Sequence, residues 1–317
     1  MNNNTRREFL KTTSATIVGV ALSNQFLKAQ QSLAIKPRLI CAFTKCLQFI
    51  EIDKLGDFLA ALEFDGADLT VRKGGHVLTE NITIDLPKAV KLLERSGIKV
   101  PMMVTDVIDP ENPESERILG VAAENGIKYY RMGYLNYDTK KSIPQNLENH
   151  KRSIEKLEKI NRKFNIHGGY QNHSGIRVGG PVWDLYWLLK DCDPAYIGVQ
   201  YDIRHAVCEG GNSWPIGMNL VSPWIRTVDI KDFFWKKVDG KWKINSVPLG
   251  EGMVDLDSFL KQYASLKLSD PISIHFEYDL GGAESGKTNP KMETNEIATF
   301  LKNDLLFLRS KFKELGL

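Results

Sequence analysis

Short apolar runs alternate with longer amphipathic segments through most of the chain. The runs fall at 39–44, 66–71, 100–105, 128–133, 166–170, 197–201, 225–230 and 272–276. Between them apolar residues recur at three- and four-residue intervals, the period of a helix with one buried face. Leu55, Phe58, Leu59 and Leu62 show it, as do Ile154, Leu157 and Ile160. A last helix over about 292–312 carries Ile297, Phe300, Leu301, Leu305, Phe307 and Leu308. Strands alternating with helices imply parallel pairing through βαβ units. Eight such units predict a single-domain α/β fold over residues 30–317, a (β/α)₈ TIM barrel, which typically takes ~250 residues. An open doubly wound sheet is the structural alternative. Its dinucleotide-binding form has no support, because no Gly-x-Gly-x-x-Gly follows an early strand.

One region breaks the alternation. Phe233, Phe234, Trp235, Trp242 and Ile244 flank Asp239-Gly240, a pattern that predicts a β-hairpin near 233–245, inserted after the seventh strand. In a barrel this insertion stands over the mouth of the active site.

The first residues read differently. Thr5-Arg6-Arg7-Glu8-Phe9-Leu10-Lys11 matches a twin-arginine export signal, followed by a short apolar stretch and by Leu27-Lys28-Ala29, a plausible cleavage site. The apolar stretch is too short to span a ~30 Å hydrocarbon core, so residues 1–29 are expected to be a signal peptide and the protein periplasmic. No later segment has the length and hydropathy of a membrane span. Removing the leader changes the charge. Arg6, Arg7, Lys11 and Lys28 against Glu8 make a net +3, which equals the formal charge of the whole chain. The remainder is near neutral, without the broad basic face that nucleic acid requires. Cys41, Cys46, Cys192 and Cys208 form no C-x-x-C pair and are too few for a disulfide framework; buried thiols are expected. Nothing in the sequence indicates an oligomeric state.

In a barrel, chemistry comes from the C-terminal ends of strands and the loops after them. His76, His173, His205 and His275 lie at or just past predicted strand ends. Asp202 closes the sixth strand, where a helix N-cap is the plainer role. Glu277 follows the eighth strand on the same side as His275, since strand side chains alternate; its plainer role is a carboxylate held by an arginine. Gln171 ends the fifth strand. Asp229 and Lys231 share a face at the end of the seventh, where Lys231 with Asp232 could be a simple surface ion pair. Arg72 and His76 flank Gly74-Gly75 in a turn that either closes on a ligand or is only a polar loop. A divalent cation on a polyol or keto-sugar needs hard oxygen donors converging from several strands. Asp202, Glu277, Asp229 and the Gln171 carbonyl oxygen are the candidates, and no local histidine spacing adds another.

The segments Y-Q-N-H-S-G (170–175), D-I-R-H-A (202–206), I-K-D-F-F-W (230–235), P-L-G-E-G-M-V-D (248–255) and H-F-E-Y (275–278) resemble the xylose isomerase-like TIM-barrel family of sugar-phosphate isomerases and epimerases. The resemblance covers nearly the whole chain after the leader, and the leader itself suggests an exported bacterial branch. It implies a metal held from strands five to eight by Glu, Asp, His and Glu. The matching positions here are Gln171, Asp202, Asp229 and Glu277, so two of the four depart. Gln171 offers an oxygen but cannot act as a base. His205 is implied to bind substrate oxygens and Lys231 to line the pocket.

The expected reaction is proton abstraction next to a sugar carbonyl, with Mn²⁺ or Mg²⁺ (Zn²⁺ as an alternative) stabilising the enediolate. Glu277 is the expected base and metal ligand, with His205, His173 or Lys231 moving the second proton. Arg72, His76, His275 and Trp235 complete the expected substrate-binding set. A keto-sugar lyase or dehydratase on the same scaffold and a degenerate, non-catalytic sugar-binding barrel are the rival readings.

Overall fold

The first strand, β1 (Ile40–Phe43), pairs on one side with β2 (Gly66–Thr70) and on the other with β10 (Ile272–Ile274), and this double pairing closes the barrel. Around the ring the order continues from β2 through β3 (Lys99–Val104), β4 (Tyr129–Arg131), β5 (His167–Gln171) and β6 (Ile197–Asp202) to β7 (Ile225–Ile230), which returns to β10. All eight are parallel. The predicted (β/α)₈ barrel is the observed fold. The computed structural model describes residues 38–268 and 271–317; the expected signal peptide and its cleavage point lie outside the described residues.

Helices connect the strands: α1 (Ile52–Ala61), α2 (Ile82–Arg95), α3 (Pro113–Glu124), α4 (Ile143–Phe164), α5 (Trp183–Leu189), α6 (Ile203–Gly210), α7 (Trp214–Val221), α8 (Leu256–Ser265) and α9 (Thr294–Glu314). Their ends follow local chemistry. The N-terminus of α4 is a capping box between Ser142 and Gln145 with Pro144 in the first turn, and Asn165 ends it in the left-handed region. No helix among the described residues is long and apolar enough to cross a membrane. Cys46 and Cys192 are buried thiols.

Beyond β7 the chain forms an antiparallel hairpin, β8 (Asp232–Val238) and β9 (Lys241–Val247), with Trp235 opposite Ile244. Asp239 and Gly240 both have positive φ, 51° and 77°, as a two-residue turn matched to the strand twist requires. Asp232 anchors the hairpin base. One of its oxygens accepts from the amides of Phe233 and Val254, the other from those of Gly250 and Gly252. At Gly252 a Cβ would stand 2.0 Å from that carboxylate, so only glycine lets the loop close on it.

Candidate active site

Strand order sets the site before any side chain is considered. β5, β6, β7 and β10 are consecutive around the ring, so Gln171, Asp202, Asp229 and Glu277 come from four neighbouring strand ends. The register places Asp202 beside Asp229, and Asp229 beside Ser273. Asp202 and Asp229 are fully buried. Glu277, past the end of β10, keeps a side-chain exposure of 24% and is the acid of this group that a ligand in the mouth reaches.

Lys231 stands between two of these acids. Its ammonium, 3% exposed, lies 3.0 Å from Asp202 Oδ2 and donates to Glu277 Oε1 at 2.8 Å. Burial opposes that charge, but Asp202 and Glu277 outweigh it and hold the lysine pKa above its ordinary value. Arg204, in the first turn of α6, donates to the other Glu277 oxygen at 3.1 Å. Burial pushes Glu277 up, while Lys231, the His275 contact and Arg204 together hold it well below the usual carboxylate range. Glu277 thus lies half-buried past the end of β10 with Lys231 on one oxygen and Arg204 on the other. Lys231 is buried in the site and its partners are Asp202 and Glu277; Asp232 serves the hairpin loop instead.

Gln171 joins the group with its amide turned the opposite way from a metal ligand. Its NH₂ donates to Asp202 Oδ2 at 2.9 Å and Asp229 Oδ2 at 2.6 Å. Its carbonyl oxygen accepts from Arg131 Nη1 at 3.3 Å and from the Tyr134 hydroxyl. Turning the amide over would set that oxygen against two carboxylates and its NH₂ against an arginine. Gln200, beside Gln171 in register, donates to both Asp229 oxygens at 2.8 and 2.9 Å.

Below lies His275, 2% exposed and stacked on Phe43 at 4.2 Å. Its Nε2 is 3.3 Å from Asp229 Oδ1 and 3.7 Å from Asp68 Oδ2, near enough for ion pairing without aligned hydrogen bonds. Burial would lower its pKa; the Asp229 charge and the contacts with Asp229, Asp68 and Glu277 overcome this and raise it to about 10. His275 lies beneath Glu277, its ring stacked on Phe43 and its Nε2 facing the carboxylates of Asp68 and Asp229. Asp68, Asp229 and His275 each offer a ligand atom, all within 4.8 Å of one another, and form a candidate metal site. A metal would have to displace the imidazole proton there.

The other histidines are distinguished by their partners. Asp202 caps α6, its Oδ1 accepting from the His205 amide at 3.1 Å, so the plain helix-cap role and the site role coexist on its two oxygens. His205 Nδ1 meets the Ser174 amide at 3.1 Å and Arg204 Nη1 at 3.0 Å, both obligate donors, so Nδ1 is the acceptor and the proton sits on Nε2, 3.6 Å from Asp202 Oδ2. Burial, with Lys231 and Arg204, holds His205 neutral. His173 has the other tautomer. Its Nδ1 donates to the Ser174 carbonyl at 2.9 Å, leaving Nε2 as an acceptor, and its ring lies 4.0 Å from that of His205. Burial, helped by Lys231, lowers His173 to about 4. His76 is taken out of the substrate-binding set: Nδ1 accepts from Gln48 Nε2 at 2.8 Å and Nε2 donates to Leu47 O at 3.1 Å, so it ties two mouth loops together with no nitrogen spare. Arg72 stays at the mouth, 4.0 Å from Asp106. Trp235, 39% exposed on β8, packs edge-on against Phe233.

A model of the xylose isomerase-like TIM barrel matches residues 57–303. The chain belongs to that family. Among curated proteins no sequence match is found. Solved structures share the fold at low identity. A 3-keto-D-glucoside 4-epimerase from E. coli superposes with a TM-score of 0.62 at 12% identity, over 86% of this chain and 100% of that one. A probable 3-DHS dehydratase from Bacillus anthracis gives 0.63 at 14%, over 86% and 99%. A xylose isomerase-like barrel from Mycobacterium smegmatis, in complex with magnesium, gives 0.59 at 15%, over 84% and 98%.

Within this xylose isomerase-like barrel, several site residues escape sequence reasoning. Asp68 sits in the apolar run of β2 and Arg131 ends β4. A charge inside an apolar strand run is itself an unusual signal, and it would have found both. Arg204 lies one residue from His205 in a segment already marked. Tyr134 and Gln200 carry no such signal.

Proposed function

We propose that this barrel is a sugar isomerase- or epimerase-type enzyme that removes a proton from the carbon next to a sugar carbonyl. The observation that carries the reading is the grip of Lys231 and Arg204 on Glu277 at the open end of the barrel. Together they supply a base and hydrogen-bonding cations at one point, which enolisation requires. When a substrate carbonyl enters, Lys231 turns from Glu277 Oε1 to the substrate oxygen while Asp202 keeps it charged. Glu277 then loses part of the ion pairing that lowers its basicity, and takes the C–H proton. The electron pair moves onto the carbonyl oxygen, where the ammonium stabilises it. Return of the proton to the former carbonyl carbon, with the hydroxyl proton passing from the neighbouring oxygen to the enolate oxygen, completes an isomerisation; delivery of the proton from Glu277 to a β-hydroxyl that departs as water completes a dehydration. The Gln171 amide favours these one-base outcomes over inversion of a carbon, because no carboxylate stands at its position. His173 Nε2 is the neutral acceptor in this mouth that could serve a second face.

The expected ligand set of Gln171, Asp202, Asp229 and Glu277 does not suit a divalent ion as it stands, with an amide NH₂ and an ammonium directed at its oxygens. The oxygen-and-imidazole set of Asp68, Asp229 and His275 suits one better. An ion there would add positive charge to the floor beneath Glu277.

The test is hydrogen exchange. Purified protein is incubated in D₂O with ketohexoses and 3-keto-glucosides, and the loss of the α-proton signal is followed by NMR. Exchange in the wild type and its loss in Glu277→Gln supports the reading. No exchange with any carbonyl sugar overturns it in favour of a sugar-binding barrel.

A further inference from the structure

We propose that the Lys231 ammonium is the resident cation of this site, standing where a divalent ion would bridge Asp202 and Glu277 and excluding one from that position. The inference rests on reading the mouth as a deprotonation site, and it goes beyond that reading by naming what replaces the metal.

Three observations carry it. The first is position. Nζ lies 3.0 Å from Asp202 Oδ2 and 2.8 Å from Glu277 Oε1, two oxygens from different strand ends that a bridging ion would share. An ion bound at about 2.0–2.6 Å from both would stand against the ammonium, two like charges within a few ångströms of each other. Lys231 cannot swing aside cheaply, because its ammonium would leave two carboxylates for a buried place without partners.

The second is saturation. Every oxygen of the three acidic residues already meets an N–H group. Asp202 Oδ1 accepts from the His205 amide, and Oδ2 accepts from Gln171 and pairs with the Lys231 ammonium at 3.0 Å. Asp229 Oδ1 accepts from Gln200, and Oδ2 from Gln171 and Gln200. Glu277 Oε1 accepts from Lys231, and Oε2 from Arg204. A metal needs lone pairs pointed at it, and here they point at protons.

The third is the fourth position. Gln171 presents its NH₂ to the acids, while Arg131 and Tyr134 hold its oxygen away. A donor has replaced an acceptor on the side where the cation would sit. Asp68 Oδ1, by contrast, has no hydrogen-bond partner, which leaves the Asp68–Asp229–His275 floor as a separate place for an ion.

The consequence is that carbonyl polarisation at Glu277 is done by an ammonium and a guanidinium that cannot be chelated away. The experiment reads cation binding, so it fails or succeeds independently of any substrate. Protein stripped with EDTA is titrated with Mn²⁺ by calorimetry, as wild type, Glu277→Gln, Lys231→Ala and Lys231→Ala/Glu277→Gln, each in an Asp68→Asn background to silence the floor. The expected result is no Glu277-dependent Mn²⁺ binding with Lys231 present. Lys231→Ala should gain one site at least about tenfold tighter than any background, lost again in the double variant. Stoichiometric Mn²⁺ in the Lys231-containing protein that disappears in Glu277→Gln overturns the inference, and so does a folded Lys231→Ala variant that gains no site. If Lys231→Ala does not fold, Lys231→Met takes its place. Failure of the deprotonation reading shows instead as absent exchange with carbonyl sugars, whatever the Mn²⁺ titrations give.

Discussion

Arg204 Nη2 donates to Glu277 Oε2 at 3.1 Å across 73 residues of sequence, from a helix that starts where β6 ends. The guanidinium orients the carboxylate whose other oxygen Lys231 holds, so Glu277 presents a fixed geometry to the mouth. Glu277→Gln keeps the shape and loses both the base and the ion pairs. Exchange of the substrate α-proton in D₂O should fall by ~10³-fold or more. A fall below tenfold, measured by NMR, would move the base elsewhere.

His173 should behave as a neutral base over an unusually wide range. Burial and Lys231 lower it to about 4, so it stays unprotonated as pH drops from 8 through the ordinary histidine range near 6.5. Any step that needs its Nε2 lone pair should hold its rate down to about pH 5 and decline only as pH approaches 4. The pH profile of epimerisation, or of exchange on the second face, checks this, and His173→Ala should reduce that rate by ~10²-fold. A midpoint near 6.5 would assign the titration to another group.

Asp232 should matter for stability more than for binding. It accepts from four backbone amides, at Phe233, Gly250, Gly252 and Val254, and Asp232→Ala leaves them without that acceptor. The cost should be ~2–4 kcal/mol, read as a lower urea midpoint, with Asp232→Asn intermediate.

Asp304 on α9 predicts a stability change with pH. Buried, it accepts from the Leu249 amide and the Tyr278 hydroxyl, and burial outweighs those bonds to raise it to about 7. A carboxyl with a raised folded pKa favours the protonated state on folding. Its contribution is therefore greatest below the unfolded value near 3.9 and is lost as pH rises through 7. Urea midpoints measured at pH 5 and 7.5 should differ less in Asp304→Asn than in wild type. An equal difference would show that Asp304 is not the group responsible.

Export is the remaining prediction. We propose that Arg6 and Arg7 direct the chain through the twin-arginine route, so replacing both with lysine should leave precursor in the cytoplasm on fractionation. Normal export of that variant removes the periplasmic assignment.

The strands were legible in the sequence because they depend on local chemistry. Apolar runs such as 66–71 and 225–230 lie within a residue of β2 and β7, since a strand buried on both faces has little choice of composition. The same logic marks Asp202, Asp229 and Glu277, because a charge at a barrel strand end must face the mouth. Periodicity tells which face a side chain takes, but not which atoms it meets. Lys231 and Glu277 are 46 residues apart, and only the closure of β7 on β10 sets their separation at 2.8 Å. The tertiary structure also decided which way the Gln171 amide points, through Arg131 and Tyr134 from the β4 side. It locked His76 between Gln48 and Leu47, sank His275 beneath Glu277, and committed Asp232 to the loop at 250–254. Each of these outcomes depends on register between strands, which no single stretch of sequence contains.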